Sequence, residues 1–142
     1  ESTQKQYANI QAMLGGIGAI SLLVAAIGIT NTMMMSIYER TKEIGVMKVL
    51  GCDMRNIQAM FLMEAADIGL VGGIVGLGIS YLISMIINKV VAASGNMSSL
   101  SYIPLWLAGA SVIFAVVIGM AAGYFPSKRA MKLSPLAAIR NE

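Results

Sequence analysis

The chain has 142 residues, of which 57% are hydrophobic and only 12% charged, with a formal net charge of +3 and a mean hydropathy of +0.75. A soluble domain carries about 25% charged residues, so this composition leaves too little polar surface for a globule in water and identifies an integral membrane protein, while the small net charge gives no ground for nucleic-acid binding. With no His and a single Cys, Cys52, there is no disulfide framework, no thiolate metal cluster and no histidine base; no catalytic, cofactor-binding or metal-binding residue is assigned.

The sequence begins Glu1-Ser2-Thr3, without a signal-peptide pattern, and is expected to be a piece of something longer. No charged residue lies between Gln6 and Tyr38. That run exceeds the roughly 20 residues a helix needs to cross the hydrocarbon core, and predicts a first span over 13–36. Asn31, between Thr30 and Thr32, is its polar spot near one end and is expected to hydrogen-bond to a neighbouring helix. The methionines that follow, 33 to 35, read as packing filler.

A charged stretch comes next, "YERTKEIGVMKVLGCDMRN" (38–56). Ile44, Met47, Leu50, Met54 and Ile57 recur every three or four residues and form an apolar stripe. Glu39 with Lys42, and Arg40 with Glu43, are spaced for ion pairs along a helix. Gly51 is the expected helix stop and Asp53 the expected N-cap of a helix rising into the second span. Gly45 inside the first piece weakens a helix and admits a close backbone approach. Two readings of this stretch stay open on physics alone: a handle for another protein, or an interfacial helix with solvated charges. Acid–base chemistry at Glu39 and Glu43, or nucleophilic chemistry at Cys52, has no supporting pocket or His.

The second uncharged run, Ile68 to Asn88, predicts a span over 68–87, and the third, Val90 to Ser127, a span over 104–125 after a Gly/Asn/Ser-rich loop at 93–101. Small residues recur at spacing four: Gly72, Gly76, Ser80 and Ser84, with Gly69 and Gly73 one step round the helix, and Ser111, Ala115, Gly119 and Gly123 in the third span. Such lines let helix backbones approach closely, either within this bundle or across a dimer seam. No Asp, Glu, Lys or Arg falls inside a span, which argues against an ion-coupled transporter or a voltage sensor. Lys and Arg cluster in the 39–67 loop (Arg40, Lys42, Lys48, Arg55) and in the tail from residue 126 (Lys128, Arg129, Lys132, Arg140), against Lys5 and Lys89 on the other side. The positive-inside rule then gives an N-out/C-in topology. The expected fold is all-α, with three transmembrane helices and a cytoplasmic amphipathic helix between the first two. Ser134-Pro135 reads as a cap and first position of a short tail helix, Leu136–Arg140. The Asn96-Met97-Ser98 sequon is read as chance.

"ERTKEIGVMKVLG" (39–51) followed by "IQAMFLMEA" (57–65), together with "FPSKRAMKLSPLAAIRNE" (125–142), resembles the FtsX-like permeases, the membrane subunits of MacB-type ABC transporters. In the tail the resemblance rests on Pro126, Lys128, Arg129, Ala130, Leu133, Pro135, Ala138 and Arg140. It implies that 39–51 is a coupling helix docked on an ATP-binding subunit or domain, with Glu39, Arg40, Thr41, Lys42, Glu43, Ile44, Gly45, Met47, Lys48, Leu50 and Gly51 as the coupling residues. It further implies an upstream span and an extracytoplasmic domain, and action as a dimer of two permease copies in a bacterial cytoplasmic membrane. ATP and Mg would sit in the partner ATPase rather than in this chain, and an extracytoplasmic adaptor and membrane lipid would be further partners. The expected function is a non-enzymatic permease subunit that transmits ATPase-driven motion for export of a drug, peptide or toxin. The alternatives are a regulator of a cell-wall hydrolase and a lipoprotein-releasing subunit.

Overall fold

The computed structural model describes residues 2–95, 100–134, 136 and 140. Four helices follow one another in this part of the chain: α1 (Ser2–Glu39), α2 (Thr41–Val49), α3 (Met54–Ala93) and α4 (Leu105–Met131). Three of them, α1, α3 and α4, are long and apolar enough to cross a membrane. α1 and α3 contain their expected spans and extend past them at both ends, while α4 starts one residue inside the expected 104–125, with Pro104 as its N-cap, and runs on to Met131. At about 1.5 Å per residue α3 is some 60 Å long, twice the thickness of the hydrocarbon core.

The joints are built from local chemistry. α1 passes into α2 through the single residue Arg40 (φ −96°, ψ 14°). The Thr41 hydroxyl donates to the Ile37 and Tyr38 carbonyls (3.0 and 2.8 Å), two of the acceptors that the end of α1 leaves without a backbone partner. α2 stops as predicted at Gly51, which has φ +86°. Its N–H bonds back to Lys48 O (3.1 Å), and Cys52 N–H reaches Met47 O (3.0 Å). This pair of bonds defines a Schellman stop, in which the left-handed residue is best a glycine. Asp53 caps α3 with extended backbone geometry and a long side-chain bond from the Arg55 N–H (3.4 Å). The two expected ion pairs along α2 are not formed. Arg40 instead faces Glu64 across on α3 at 3.8 Å, an exposed pair worth at most about 1 kcal/mol.

Helices α3 and α4 form the main pair, and α1 leans on α4 at one end. The pairing line is Gly69 and Gly73 on α3 against Ala115, Gly119 and Gly123 on α4. A Cβ on Gly69 would stand 2.5 Å from the Ala115 carbonyl oxygen, one on Gly119 2.6 Å from that of Ala65, and one on Gly123 would collide with the Ala65 side chain. The first two are backbone-to-backbone approaches that only glycine permits, and the third seats the Ala65 methyl directly on a glycine. The other predicted small residues lie elsewhere. A Cβ added at Gly72 or Gly76 would meet nothing within 4 Å, and Ser80 and Ser111 are exposed, their hydroxyls returned to their own helices. The reason is rotational: α3 turns its 65–69–73 line, not its 72–76–80 line, toward α4.

Where all four helices meet, Met33 and Ile37 of α1, Ile44 of α2, Ile57, Phe61 and Ala65 of α3 and Ala130 of α4 form one buried cluster. Away from it the helices are largely bare. α1 is exposed throughout residues 3–25, with Leu14, Ile17, Ile20 and Leu23 all more than 60% accessible, as expected of side chains whose solvent is lipid. At the opposite end of the α3–α4 pair a polar clamp holds the incoming chain. Asn88 accepts from the Leu100 and Ser101 N–H groups (3.1 and 3.0 Å) and donates to Ser101 O (2.7 Å). One turn away along α3, Ser84 meets the Ser101 hydroxyl at 2.8 Å.

Candidate functional site

The expected tail from residue 126 begins inside a helix. α4 continues through Pro126 to Met131, and Pro126, Ser127 and Ala130 are buried. Proline has no N–H for the carbonyl four residues back, which leaves Ala122 O without its helical donor. Thr30 on α1 supplies one: its hydroxyl stands 2.9 Å from Ala122 O, and equally 2.9 Å from Ala26 O in its own helix. A neighbouring helix thus satisfies the group that proline frees, the condition on which membrane helices tolerate it. Thr30 makes the interhelical bond that the sequence assigned to Asn31, which is exposed. The signal was a Thr and a Pro far apart in the chain, and nothing local links them.

α2 packs at the end of the bundle where α1, α3 and α4 meet, and its two sides differ. Ile44 has no accessible surface and Gly45 is buried, while Met47 packs half-buried against the same cluster. Lys48 turns inward as well. Its ammonium donates to Ala130 O (3.2 Å), to Met131 O (2.6 Å) and to Leu133 O. It therefore closes the C-terminal end of α4, where helical carbonyls lack partners and the helix dipole is negative. Desolvation by burial lowers the Lys48 pKa below that of a free lysine, against the pull of the carbonyls that favour its charge. Ile44 and Lys48 were expected as contacts to an outside partner, and both are contacts within this chain instead. The reason is that α1, α3 and α4 converge under α2 and need its apolar edge and its cation.

The outward side of α2 presents Lys42, Glu43, Val46, Val49 and Leu50, with Val46, Val49 and Leu50 51%, 64% and 78% accessible. Val46 and Val49 were absent from the expected coupling set. Arg40, Lys42, Glu43, Val46, Met47 and Met60 line a shallow groove where α2 meets the start of α3. Glu39, Arg40 and Gly51 are exposed at the two ends of α2, and Thr41 is half-buried as the cap of α1. An apolar patch edged by both signs of charge suits docking of a protein surface better than chemistry. No group of three or more Cys, Asp or Glu among the described residues is placed to hold a metal.

In the tail, Lys128, Arg129 and Lys132 are exposed and line one pocket with Phe125. Arg140 is exposed. Pro135 and most of the expected short helix 136–140 lie outside the described residues, as does the 96–98 sequon.

Residues 15–135 match the model of the FtsX-like permease C-terminal family. Among curated proteins, the chain is 42% identical over 127 residues to an uncharacterised ABC transporter permease of Methanocaldococcus jannaschii, covering 89% of this chain and 32% of that protein. It is 40% identical over 136 residues to the ABC transporter permease YtrF of Bacillus subtilis, covering 89% and 31%. It is 37% identical over 137 residues to the macrolide export ATP-binding/permease protein MacB of Neisseria gonorrhoeae, covering 94% and 20%. The chain spans about a third or less of the length of these relatives. With three membrane-crossing helices joined by an exposed elbow, and a family match over nearly its whole length, this chain is a membrane protein belonging to the FtsX-like permease family of ABC transporter permeases.

Proposed function

We propose that this chain is the membrane part of an ABC exporter permease in which α2 takes up motion from an ATP-hydrolysing partner and passes it to the helices. The supporting observation is the two-sidedness of α2: one edge is built into the core through Ile44 and Lys48, and the other presents Val46, Val49 and Leu50 as exposed side chains. Large apolar side chains so exposed on a helix outside the spans mark an interaction surface. The rim charges Arg40, Lys42 and Glu43 set register and specificity more than affinity. ATP and Mg belong to the partner, and this chain contributes no catalytic group. The relative named for macrolide export and another named for pyoverdine export support efflux as the direction. The protein resides in the cytoplasmic membrane of a prokaryote, as a pair of permease copies, with α2 and the C-terminus inside. An upstream span and an outer domain that meets an adaptor complete it.

Two experiments test this. Val46→Asp with Leu50→Asp in the full-length permease abolishes co-purification of the ATPase and its stimulation, while the fold persists because neither side chain is in the core. Normal capture and coupling would remove the proposal. The exposed Cys52, kept as the sole cysteine of the full-length protein, reports the side: a membrane-impermeant maleimide labels it only after the cell is opened. Labelling of intact cells would invert the topology.

A further inference from the structure

We propose that the outward face at the foot of α4, formed by Phe125, Lys128, Arg129 and Lys132, is a binding site for the phosphate headgroup of an anionic phospholipid. Depth is the first argument. Leu105 to Phe125 contains no charged residue, and its 21 positions at about 1.5 Å each span about 31 Å, the thickness of the hydrocarbon core. Lys128 and Arg129 then fall about 5 Å beyond the core edge, inside the headgroup layer, which is some 5–7 Å thick. Lys132 lies one turn farther out, about 10 Å past the core edge, and reaches back to the phosphate level on a flexible stem.

The second argument is direction. Residues 125, 128, 129 and 132 follow the i, i+3, i+4, i+7 pattern of one helix face, while Pro126, Ser127 and Ala130 on the opposite face are buried against the chain. The cations therefore look out toward lipid. Together with Phe125 they line a single pocket. Lys128 also rests over the Tyr124 ring, 5.9 Å from its centroid, a cation–π contact. Among the described residues none of the three is in an ion pair; the pair present is Arg40 with Glu64.

The third argument removes an objection. The C-terminal end of a helix repels anions, but here the last carbonyls are covered by the Lys48 ammonium. A phosphate approaching the outward face meets three cations, with the carbonyl dipoles behind them already neutralised by the fourth. Aromatic rings at the core edge and adjacent basic groups beyond it match a lipid's glycerol level and phosphate in order.

Which leaflet supplies the lipid rests on the topology proposed above; binding itself does not. The test is native mass spectrometry of the full-length protein released from micelles with equal cardiolipin and phosphatidylethanolamine. Wild type retains cardiolipin preferentially. Lys128→Gln/Arg129→Gln/Lys132→Gln lowers that preference about 100-fold, at roughly five-fold per cation. The milder Arg129→Gln/Lys132→Gln lowers it about 25-fold and serves if the triple variant misfolds. A control with equal charge removed elsewhere, Lys5→Gln/Arg55→Gln/Lys89→Gln, keeps it. Equal loss in the control, unchanged retention in the triple variant, displacement by millimolar inorganic phosphate, or loss of ATPase capture with lipid retention intact would each overturn the proposal. The Cys52 labelling result leaves it standing either way.

Discussion

The bond between Thr30 and the Ala122 carbonyl exists because residue 126 is proline, and that dependence is measurable. Thr30→Val keeps the shape of the side chain and removes the hydroxyl. In wild type this leaves Ala122 O with no donor, since Pro126 has none to offer. The other acceptor of the hydroxyl, Ala26 O, loses nothing essential, because α1 continues through it and its own helical N–H remains. Interhelical hydrogen bonds in membranes average about 0.6 kcal/mol and reach about 1.7; an orphaned buried carbonyl costs about 1–3 kcal/mol. A partly buried site belongs in the overlap, so Thr30→Val costs about 1–1.5 kcal/mol. Pro126→Ala restores an N–H four residues after Ala122, and in that background the same Thr30→Val costs less than about 0.5 kcal/mol. The assay is a double-mutant cycle on the full-length protein, by reversible unfolding in mixed detergent–SDS micelles. A coupling near 1 kcal/mol is expected. The same cost for Thr30→Val in both backgrounds would show that the hydroxyl does not serve the proline-freed carbonyl.

Gly119→Ala and Gly69→Ala force a methyl onto backbone oxygens at 2.6 and 2.5 Å, and each destabilises by about 1–3 kcal/mol in the same unfolding assay. Gly76→Ala meets nothing within 4 Å and is neutral or stabilising by up to about 1 kcal/mol; if it instead weakens dimerisation by analytical ultracentrifugation, the second copy sits on that line. Lys48→Met keeps the stem and removes the cation from the end of α4, costing about 1.5–3 kcal/mol and raising hydrogen exchange at the last turn of α4 ahead of α3. Asn88→Ala breaks three bonds to Leu100 and Ser101 and speeds proteolysis near residue 100 without changing ATPase capture.

What the sequence made legible was local. The three spans follow from uncharged runs and bilayer thickness, and the α2–α3 joint from Gly51 and Asp53, whose effects reach only a turn. The orientation of α2 was not legible. Ile44 and Leu50 were placed on one stripe, yet six residues at about 100° each put them some 120° apart; Ile44 faces the core and Leu50 faces out. Which of the two turns inward depends on where α3 and α4 converge, information that no window around α2 contains. The end of α4 failed for a similar reason. Pro126 beside basic residues reads as a helix terminus, and only the donor on α1 and the cation on α2 make its continuation tolerable. Among the small residues spacing alone left two adjacent lines, and the crossing of α3 with α4 chose between them.

Lys48 ties α2 to the foot of α4 while Ile44 seats it among α1 and α3. The elbow therefore cannot slide along any single helix without dragging the rest. Under the function proposed above, a displacement applied there is delivered to three rods gripped at one end and emerges at their other ends as a change in splay. The rod left exposed over residues 3–25 is α1, so on that proposal its distant tip is the part that swings widest for a given nudge.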